Sequence, residues 1–156
     1  MTTLATLGST CRHTMLRLKT SRPTEFIDLT DRIRTLVEDA PVQTGLINIQ
    51  TLHTTTAIVV NEHEPMLFAD FVAMLHRAAP ADLLYRHDSP ARRVNLTPGE
   101  RVNGHAHCRA LLLPSSAAVN IAGGTLVLGR WQRIFFVELD GPQEREVSIV
   151  LLESAR

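Results

Sequence analysis

Three histidines, His53, His87 and His107, are the residues of this chain best suited to chemistry. Each lies beside small polar or acidic residues, in stretches that otherwise have the composition of strands or strand edges. A neutral imidazole nitrogen is a good ligand for zinc and similar divalent ions, and a neighbouring carboxylate commonly fixes its tautomer. Asp88 follows His87 directly and suits that purpose. These residues predict a site for a divalent metal or a charged small molecule.

A fourth histidine, His105, lies two residues before His107. If this segment is a strand, both side chains point to the same face, and one ion could bind both. The alternative is a solvated strand face, and the spacing does not separate the two interpretations. The remaining histidines are predicted to be surface residues: His13, His63 and His76.

The pair Asn61-Glu62 lies where an apolar segment meets a predicted helix. One interpretation is a helix entry, because Asn caps helices well and acidic residues suit the first turn. The other is functional, as a metal ligand, a group that orients a ligand hydroxyl, or a general base. Trp131 could be a core anchor or a stacking surface for a flat ring. Gln132 offers a donor and an acceptor to a substrate.

Four arginines could form a local fork for phosphate, because guanidinium groups match phosphate geometry in two-point contacts. They are Arg109, Arg130, Arg133 and Arg145. The chain has no glycine-rich phosphate loop, nucleophile elbow or HExxH motif. Ser115-Ser116 does not indicate a serine hydrolase, since nothing in the sequence places a base beside it.

The composition indicates a single folded domain over residues 1–156. Lys+Arg and Asp+Glu both number 16, so the net charge is zero and no nucleic-acid partner is expected. The two cysteines, Cys11 and Cys108, lack metal-ribbon spacing and fit reduced thiols in a cytosol. No window approaches the length of a membrane span, so we expect a cytoplasmic protein with no membrane partner.

The elements that must position these residues follow from the apolar pattern. A strand is predicted at Met15–Lys19, a helix from Thr30 to about Ala40, and the main helix from Pro65 to near Pro80. The stretch from Leu46 to Val60 is rich in β-branched residues, and the polar run His53–Thr56 splits or bends it. Residues Tyr85–Gly104 read as a long loop. Later strands are predicted at Ala110–Leu113, Thr125–Leu128, Ile134–Leu139 and Glu146–Leu152.

This order predicts the α+β class, with a mostly antiparallel β-sheet and two main helices that cover one side of it. Gly123-Gly124 and Asp140-Gly141-Pro142 suit tight connections between antiparallel neighbours.

Several short sequence motifs occur along the chain in a particular order. They are His53-Thr54-Thr55-Thr56-Ala57 with Asn61-Glu62, Tyr85-Arg86-His87-Asp88, Ala106-His107, and Leu128-Gly129-Arg130-Trp131-Gln132 followed by Glu138. Together, across nearly the whole chain, they resemble the YjbQ family. Three positions depart from the family pattern: Arg109 stands in place of Lys, Arg130 in place of Thr, and Pro114 in place of Gly.

The resemblance implies a compact α+β fold, a homotrimer, and a pocket that binds a divalent metal, with zinc or magnesium as the expected ion. Members of the family are often labelled secondary thiamine-phosphate synthases, which join a pyrimidine pyrophosphate to a thiazole phosphate and release pyrophosphate. The family pattern implies metal binding by His53, His87 and His107, and leaves His105 as an auxiliary ligand. We expect catalytic roles for Glu62, His107 and Asp88, and substrate contacts from Asn61, Arg109, Trp131 and Gln132.

Three functions are compatible with these residues. One is the metal-dependent transferase, and another is a metal-dependent hydrolase of a phosphorylated or cyclic small molecule, which would use a metal-bound water. The third is a noncatalytic trimer that binds a metal or a ligand.

Overall fold

The computed structural model describes residues 11–91 and 99–154. Within these ranges the chain forms eight strands, three α-helices and one 3-10 turn at Arg86–Asp88. The strands are β1 (Cys11–Lys19), β2 (Glu25–Asp28), β3 (Thr44–Thr51), β4 (Thr56–Glu62), β5 (Ser116–Ala122), β6 (Thr125–Leu126), β7 (Gln132–Glu138) and β8 (Glu144–Glu153). The helices are α1 (Thr30–Glu38), α2 (Pro65–Ala78) and α3 (Gly104–Leu111). This confirms the α+β class.

The strands form two sheets where the sequence suggested one. The larger sheet has the order β1-β8-β3-β5-β6 and the smaller has the order β2-β7-β4. Every strand pairing in the described part of the chain is antiparallel. Of the two alternatives predicted for the Leu46–Val60 segment, a split or a bend, the structure shows the split, because β3 belongs to the larger sheet and β4 to the smaller. Residues 52–55 therefore form the crossing between the two sheets, and Thr56, the last residue of the predicted polar run, begins β4.

The main core lies between the two sheets. Alternate residues of β8 point inward, including Val147, Ile149 and Leu151, and they pack with Ile134 and Phe136 of β7. This alternation follows from the two-residue period of a strand. On the opposite face of β7, Phe135 and Val137 pack in a second cluster with Leu75 of α2 and Ala106 of α3. Strand β7 is therefore buried on both faces.

Helix α2 begins at Pro65, as the sequence predicts. The Glu64 carboxylate accepts hydrogen bonds from the backbone N–H groups of Met66 at 2.9 Å and Leu67 at 2.6 Å. These bonds satisfy two of the N–H groups that a helix start leaves without partners. No helix in residues 11–91 and 99–154 is long and apolar enough to cross a membrane.

Helix α3 corrects the predicted strand at Ala110–Leu113, because the chain is helical from Gly104 to Leu111. A short apolar run cannot by itself separate a strand from a helix. The buried side chains Ala106 and Arg109 are three residues apart, which is helical spacing. His105 and His107 consequently do not share a face, since two residues differ by about 200° around an α-helix.

Two strands were not predicted. Strand β2 has only four residues, and β5 is built mainly of small residues that alternate around buried Val119 and Ile121. The segment predicted as a long loop, Tyr85–Gly104, contains the 3-10 turn at its start. Residues 92–98 of that segment and Met1–Thr10 lie outside the described residues.

Candidate functional site

A polar pocket of about 460 Å³, here called the histidine pocket, contains two of the three predicted histidines. His87 comes from the 3-10 turn and His107 from α3, and their ring centres lie 4.6 Å apart. The rest of the lining comes from the β3–β4 crossing, the segment before α3, the β7–β8 connection and the start of β8: Thr54, Thr55, Gly99, Glu100, Arg101, Asn103, Asp140, Gln143 and Arg145. Two imidazoles thus share one concave, charged surface.

Asp88 orients His87 and also anchors the start of α3. Its Oδ1 atom lies 3.1 Å from His87 Nδ1 and accepts the backbone N–H groups of Asn103 at 3.0 Å and Gly104 at 2.9 Å. Burial acts to raise the pKa of Asp88, but these hydrogen bonds outweigh it and hold the pKa below its ordinary value. The ionised carboxylate can only accept, so His87 carries a proton on Nδ1 and its lone pair on Nε2 when neutral.

Gly104 permits this arrangement by its lack of a side chain. A Cβ atom at Gly104 would overlap the Tyr85 side chain and approach Asp88 Oδ2 at 3.2 Å. The close contact between α3 and the 3-10 turn therefore requires glycine at this position.

Asp140 organises the opposite wall of the histidine pocket. Its carboxylate accepts hydrogen bonds from Arg101 Nε at 3.0 Å, Asn103 Nδ2 at 2.8 Å and Gln143 Nε2 at 3.1 Å. This network ties the segment before α3 to the β7–β8 connection. The sequence marked Asp140 only as part of a turn, and its position directly after a buried strand was the available signal.

A buried ion pair lies behind the pocket. Arg145 and Glu138 are 5% and 0% exposed, and two guanidinium nitrogens donate to the two carboxylate oxygens, each at 2.7 Å. Glu138 also accepts from the Thr20 hydroxyl at 3.0 Å and from the Asp140 backbone N–H at 2.9 Å. Burial acts to raise the pKa of Glu138, but Arg145 and the other donors lower it overall. Glu138 is therefore ionised beside the Arg145 guanidinium.

His53 lines a second pocket of about 530 Å³ with Arg17, Leu18, Lys19, Glu144, Arg145 and Glu146. We call this the strand pocket, because β1 and β8 supply most of its lining. His53 Nε2 accepts the backbone N–H of Glu146 at 2.8 Å. Burial, and then the nearby positive charge of Arg145, lower the pKa of His53. Arg145 lines both pockets, so the two are neighbours but distinct.

The three-histidine metal set is not assembled within one copy of the chain. Among residues 11–91 and 99–154, no group of three His, Cys, Asp or Glu side chains is placed to share a metal ion. The donors of a single copy therefore do not fit the predicted shell of His53, His87 and His107. The histidine pocket holds two of these imidazoles, and His105 does not line it.

The remaining site candidates lie at the far end of the smaller sheet. Asn61 and Glu62 pair with Arg133 and Gln132 at one end of β4 and β7, while Thr56 pairs with Glu138 at the other. The six residue steps from Thr56 to Glu62 span about 20 Å in a strand. One copy of the chain thus separates Asn61, Glu62, Trp131 and Gln132 from the histidine pocket.

Each of these far-end residues has a local structural role or an exposed side chain. Asn61 Oδ1 accepts the Glu62 backbone N–H at 2.9 Å, and Gln132 Oε1 accepts the Gly129 N–H at 2.8 Å. Trp131 is 61% exposed, and the Arg130 guanidinium lies 4.7 Å from its ring centre. Their predicted substrate and catalytic roles stay predictions.

The four arginines do not form a common phosphate fork. Arg109 is buried and donates through Nε to the Ala79 carbonyl at 2.9 Å, so it supports the end of α2. Arg133 donates to Asp28 at 2.7 Å, and Arg145 is paired with Glu138. Only Arg145 lines the histidine pocket, where it is joined by an arginine that the sequence did not single out, Arg101.

The family model described as "UPF0047 protein YjbQ-like" matches residues 14–154. This chain belongs to the YjbQ-like UPF0047 family. The predicted resemblance is thereby confirmed.

Relatives of this UPF0047 chain cover most of its length. A UPF0047 protein of Archaeoglobus fulgidus is 39% identical over 137 residues, covering 88% of this chain and 98% of the relative. One from Methanothermobacter thermautotrophicus is 37% identical over 134 residues, covering 86% and 87%. A solved protein of Sulfolobus solfataricus, described as YbjQ-like and of unknown function, superposes with a TM-score of 0.84 at 30% identity, covering 94% and 100%.

The Glu138–Arg145 pair generates a testable prediction. Glu138→Gln should destabilise this UPF0047 protein by about 3–5 kcal/mol at pH 7, because it leaves a buried guanidinium without its counter-charge. Chemical denaturation followed by circular dichroism measures the difference from the wild type.

The pH dependence of that difference follows from the lowered pKa of Glu138. A carboxylate with a depressed folded pKa contributes stability above its unfolded pKa and loses it as the pH falls through the folded value. The gap between wild type and Glu138→Gln should therefore narrow as the pH falls below about 4. Exposed Glu144→Gln serves as the control, and a gap that is equally wide at all pH values would contradict the assignment.

Proposed function

We propose that this protein is an enzyme that acts on a phosphorylated small molecule in the histidine pocket. The observation that supports this most directly is the pair of imidazole rings, 4.6 Å apart, with His87 oriented by an ionised Asp88. Oriented imidazoles serve as proton donors, proton acceptors and phosphate contacts. Thr54 and Thr55 line the same pocket.

The first candidate reaction is the transfer that the family resemblance implies. The thiazole nitrogen attacks the methylene carbon of the pyrimidine pyrophosphate, a C–N bond forms, and the C–O bond breaks. Pyrophosphate leaves with the electron pair, and the thiazole ring becomes a thiazolium cation, so no proton has to be removed. The protein's task is to stabilise negative charge on the leaving group. His107 and Arg101 supply the donors in this proposal.

The second candidate is hydrolysis of a phosphorylated or cyclic small molecule. The His87–Asp88 pair favours it, because an imidazole whose other nitrogen donates to a carboxylate is suited to take a proton from water. Here the water oxygen attacks the substrate phosphorus and forms a P–O bond while Nε2 of His87 accepts the water proton. The P–O bond to the leaving group breaks, and the leaving oxygen departs with the electron pair. This role makes Asp88 a positioning residue.

We also propose that the histidine pocket binds a divalent metal, which takes no part in either reaction step. His87 and His107 would hold it, and further ligands would come from substrate phosphate oxygens, as is common for magnesium. When bound, the ion would neutralise charge on the phosphate.

The homotrimer implied by the resemblance is likewise proposed. Two features support association of copies: the far-end candidates lie about 20 Å from the histidine pocket along a strand, and large apolar side chains are exposed in the segments that precede the 3-10 turn and α3. Among the latter, Leu83, Leu84 and Val102 are 57%, 97% and 74% exposed. A neighbouring copy could bring Glu62 and Trp131 toward the histidines. The expected cytoplasmic location stays a prediction.

Removal of one imidazole tests the site. His107→Ala should abolish product formation, because it removes a group that contacts the substrate, while the oligomer keeps its size. The assay supplies the pyrimidine pyrophosphate alone and then with the thiazole phosphate, and mass spectrometry identifies the products. Product only with both substrates supports the transferase, and product without the thiazole supports the hydrolase.

His76→Ala, on the exposed side of α2, is the matched control and should keep wild-type turnover. Unchanged turnover in His107→Ala would overturn the role of this residue. A wild-type protein that binds both compounds but converts neither would indicate the noncatalytic alternative.

Asp88→Asn separates the two reactions. The amide oxygen can still accept the backbone N–H groups that begin α3, but the charge that holds the His87 tautomer is lost. If His87 acts as a base, kcat should fall by about 10²- to 10⁴-fold. If the reaction is the transfer, which removes no proton, kcat should change by less than about tenfold, because only the electrostatic environment of the donors changes.

Metal binding is tested by elemental analysis after dialysis against metal-free buffer and then titration with Zn²⁺ or Mg²⁺ in the presence of pyrophosphate. We expect the ion to bind the wild type and to bind His107→Ala at least about tenfold more weakly, because loss of even a partner that only orients a ligand costs about 10- to 100-fold in affinity. Equal uptake by both proteins would contradict a metal site at this histidine.

A further inference from the structure

The hydrogen bond between His53 and Glu146 determines which ring nitrogen carries the proton. A backbone N–H can only donate, so His53 Nε2, 2.8 Å from the Glu146 nitrogen, must present its lone pair. A neutral imidazole has one protonated nitrogen, and here it is Nδ1. His53 is therefore the Nδ1–H tautomer in this fold.

The strand pairing explains why Glu146 needs this partner. Strand β3 ends at Thr51, which pairs with Val147, so the ladder between β3 and β8 stops one residue before Glu146. The Glu146 carbonyl still accepts the Leu52 backbone N–H at 3.3 Å. The N–H and carbonyl of one strand residue point to the same side, and His53 satisfies the N–H where β3 no longer can. Its ring thus substitutes for a strand partner.

This role is incompatible with metal ligation by His53. Ligation through Nε2 would take the lone pair that accepts the Glu146 N–H. Ligation through Nδ1 would move the proton to Nε2, where it would face that same N–H donor. Either change leaves a partly buried backbone donor without its acceptor, which is costly.

The other ring nitrogen of His53 is a hydrogen-bond donor, and His53 lines a pocket of mixed charge. Within residues 11–91 and 99–154, Nδ1 of His53 has no protein acceptor. The strand pocket that His53 lines also contains three cationic side chains, Arg17, Lys19 and Arg145, and two carboxylates, Glu144 and Glu146. Arg17 is paired with Glu146 at 3.1 Å and Arg145 with Glu138. This mixed lining suits one small anionic group better than a polyanion.

We infer that His53 donates a hydrogen bond through Nδ1–H to an anionic oxygen, such as that of a phosphate, bound in the strand pocket, and that it is not a metal ligand. Lys19 also lines this pocket and has no side-chain ion pair in the described part of the chain, although it lies opposite Glu144 in the β1–β8 pairing. The inference does not depend on the reaction proposed for the histidine pocket, because the two pockets have different linings apart from Arg145.

Nuclear magnetic resonance on the full chain with ¹⁵N-labelled histidine reads the tautomer directly. The expected result is a protonated Nδ1 and an unprotonated Nε2 for His53, with shifts on addition of inorganic phosphate and none on addition of Zn²⁺. An Nε2–H tautomer, or a Zn²⁺-dependent shift at His53, would overturn the inference.

Two substitutions separate the structural role of the ring from ligand binding. In His53→Gln the amide oxygen can still accept the Glu146 N–H, but no donor stands at the Nδ1 position. In His53→Asn the amide N–H lies near the Nδ1 position, but the bond to Glu146 is lost. Phosphate affinity should fall about tenfold in His53→Gln, the effect of one lost hydrogen bond.

The same comparison gives the opposite ranking for stability. His53→Asn should lower the unfolding midpoint more than His53→Gln does, yet retain the larger share of phosphate binding if it folds. Wild-type phosphate affinity in folded His53→Gln would exclude the donor role. Product formation in the wild type is a separate measurement, so a failure of the proposed reaction and a failure of the strand pocket give different results.

Discussion

The bidentate ion pair between Arg145 and Glu138 is the interaction on which the site depends. Arg145 lies on β8 in the larger sheet, and Glu138 ends β7 in the smaller sheet. Removing both charges from water carries a large penalty, and only good geometry with additional hydrogen bonds offsets it. Thr20, Thr55 and the backbone N–H groups of residues 139 and 140 provide those bonds. The pair therefore specifies how the two sheets meet at this end.

Both pockets follow from that junction. Arg145 forms part of the wall of each, and the crossing from β3 to β4 passes between them with His53 on one side and Thr54 and Thr55 on the other. An imidazole on this crossing completes the hydrogen bonding of β8, as the bond to Glu146 illustrates. A residue that the sequence predicts to be a metal ligand can thus have a structural role that limits which groups it can bind.

Asp88 likewise has more than one role beside the histidine pocket. One of its carboxylate oxygens accepts hydrogen bonds from the His87 ring and from two backbone N–H groups at the start of α3. Because α3 also carries His107, the carboxylate that orients one imidazole helps to place the second. The charge, the helix start and the ring pair are therefore coupled, and the absence of a side chain at Gly104 makes the close packing possible.

Local patterns predicted the elements that have strong local signals. The proline and apolar spacing of α2, the β-branched residues of β3 and β4, and the polar interruption between them all appear where expected. The prediction failed for α3, because the apolar run Ala110–Leu113 is too short to distinguish a helix from a strand. It also missed β2 and β5, whose pairing depends on distant strands rather than on their own composition.

The sequence by itself determined the fold class, the family and the identity of the histidines, since these are carried by residue types, short periodicities and the order of strings along the chain. Only the tertiary structure decided which of the candidate side chains lie close together. His87 and His107 share a pocket although 19 residues separate them, while His53 faces another and Glu62 lies at the far end of a strand. Proximity between distant residues is set by strand register and sheet packing, which no local pattern encodes.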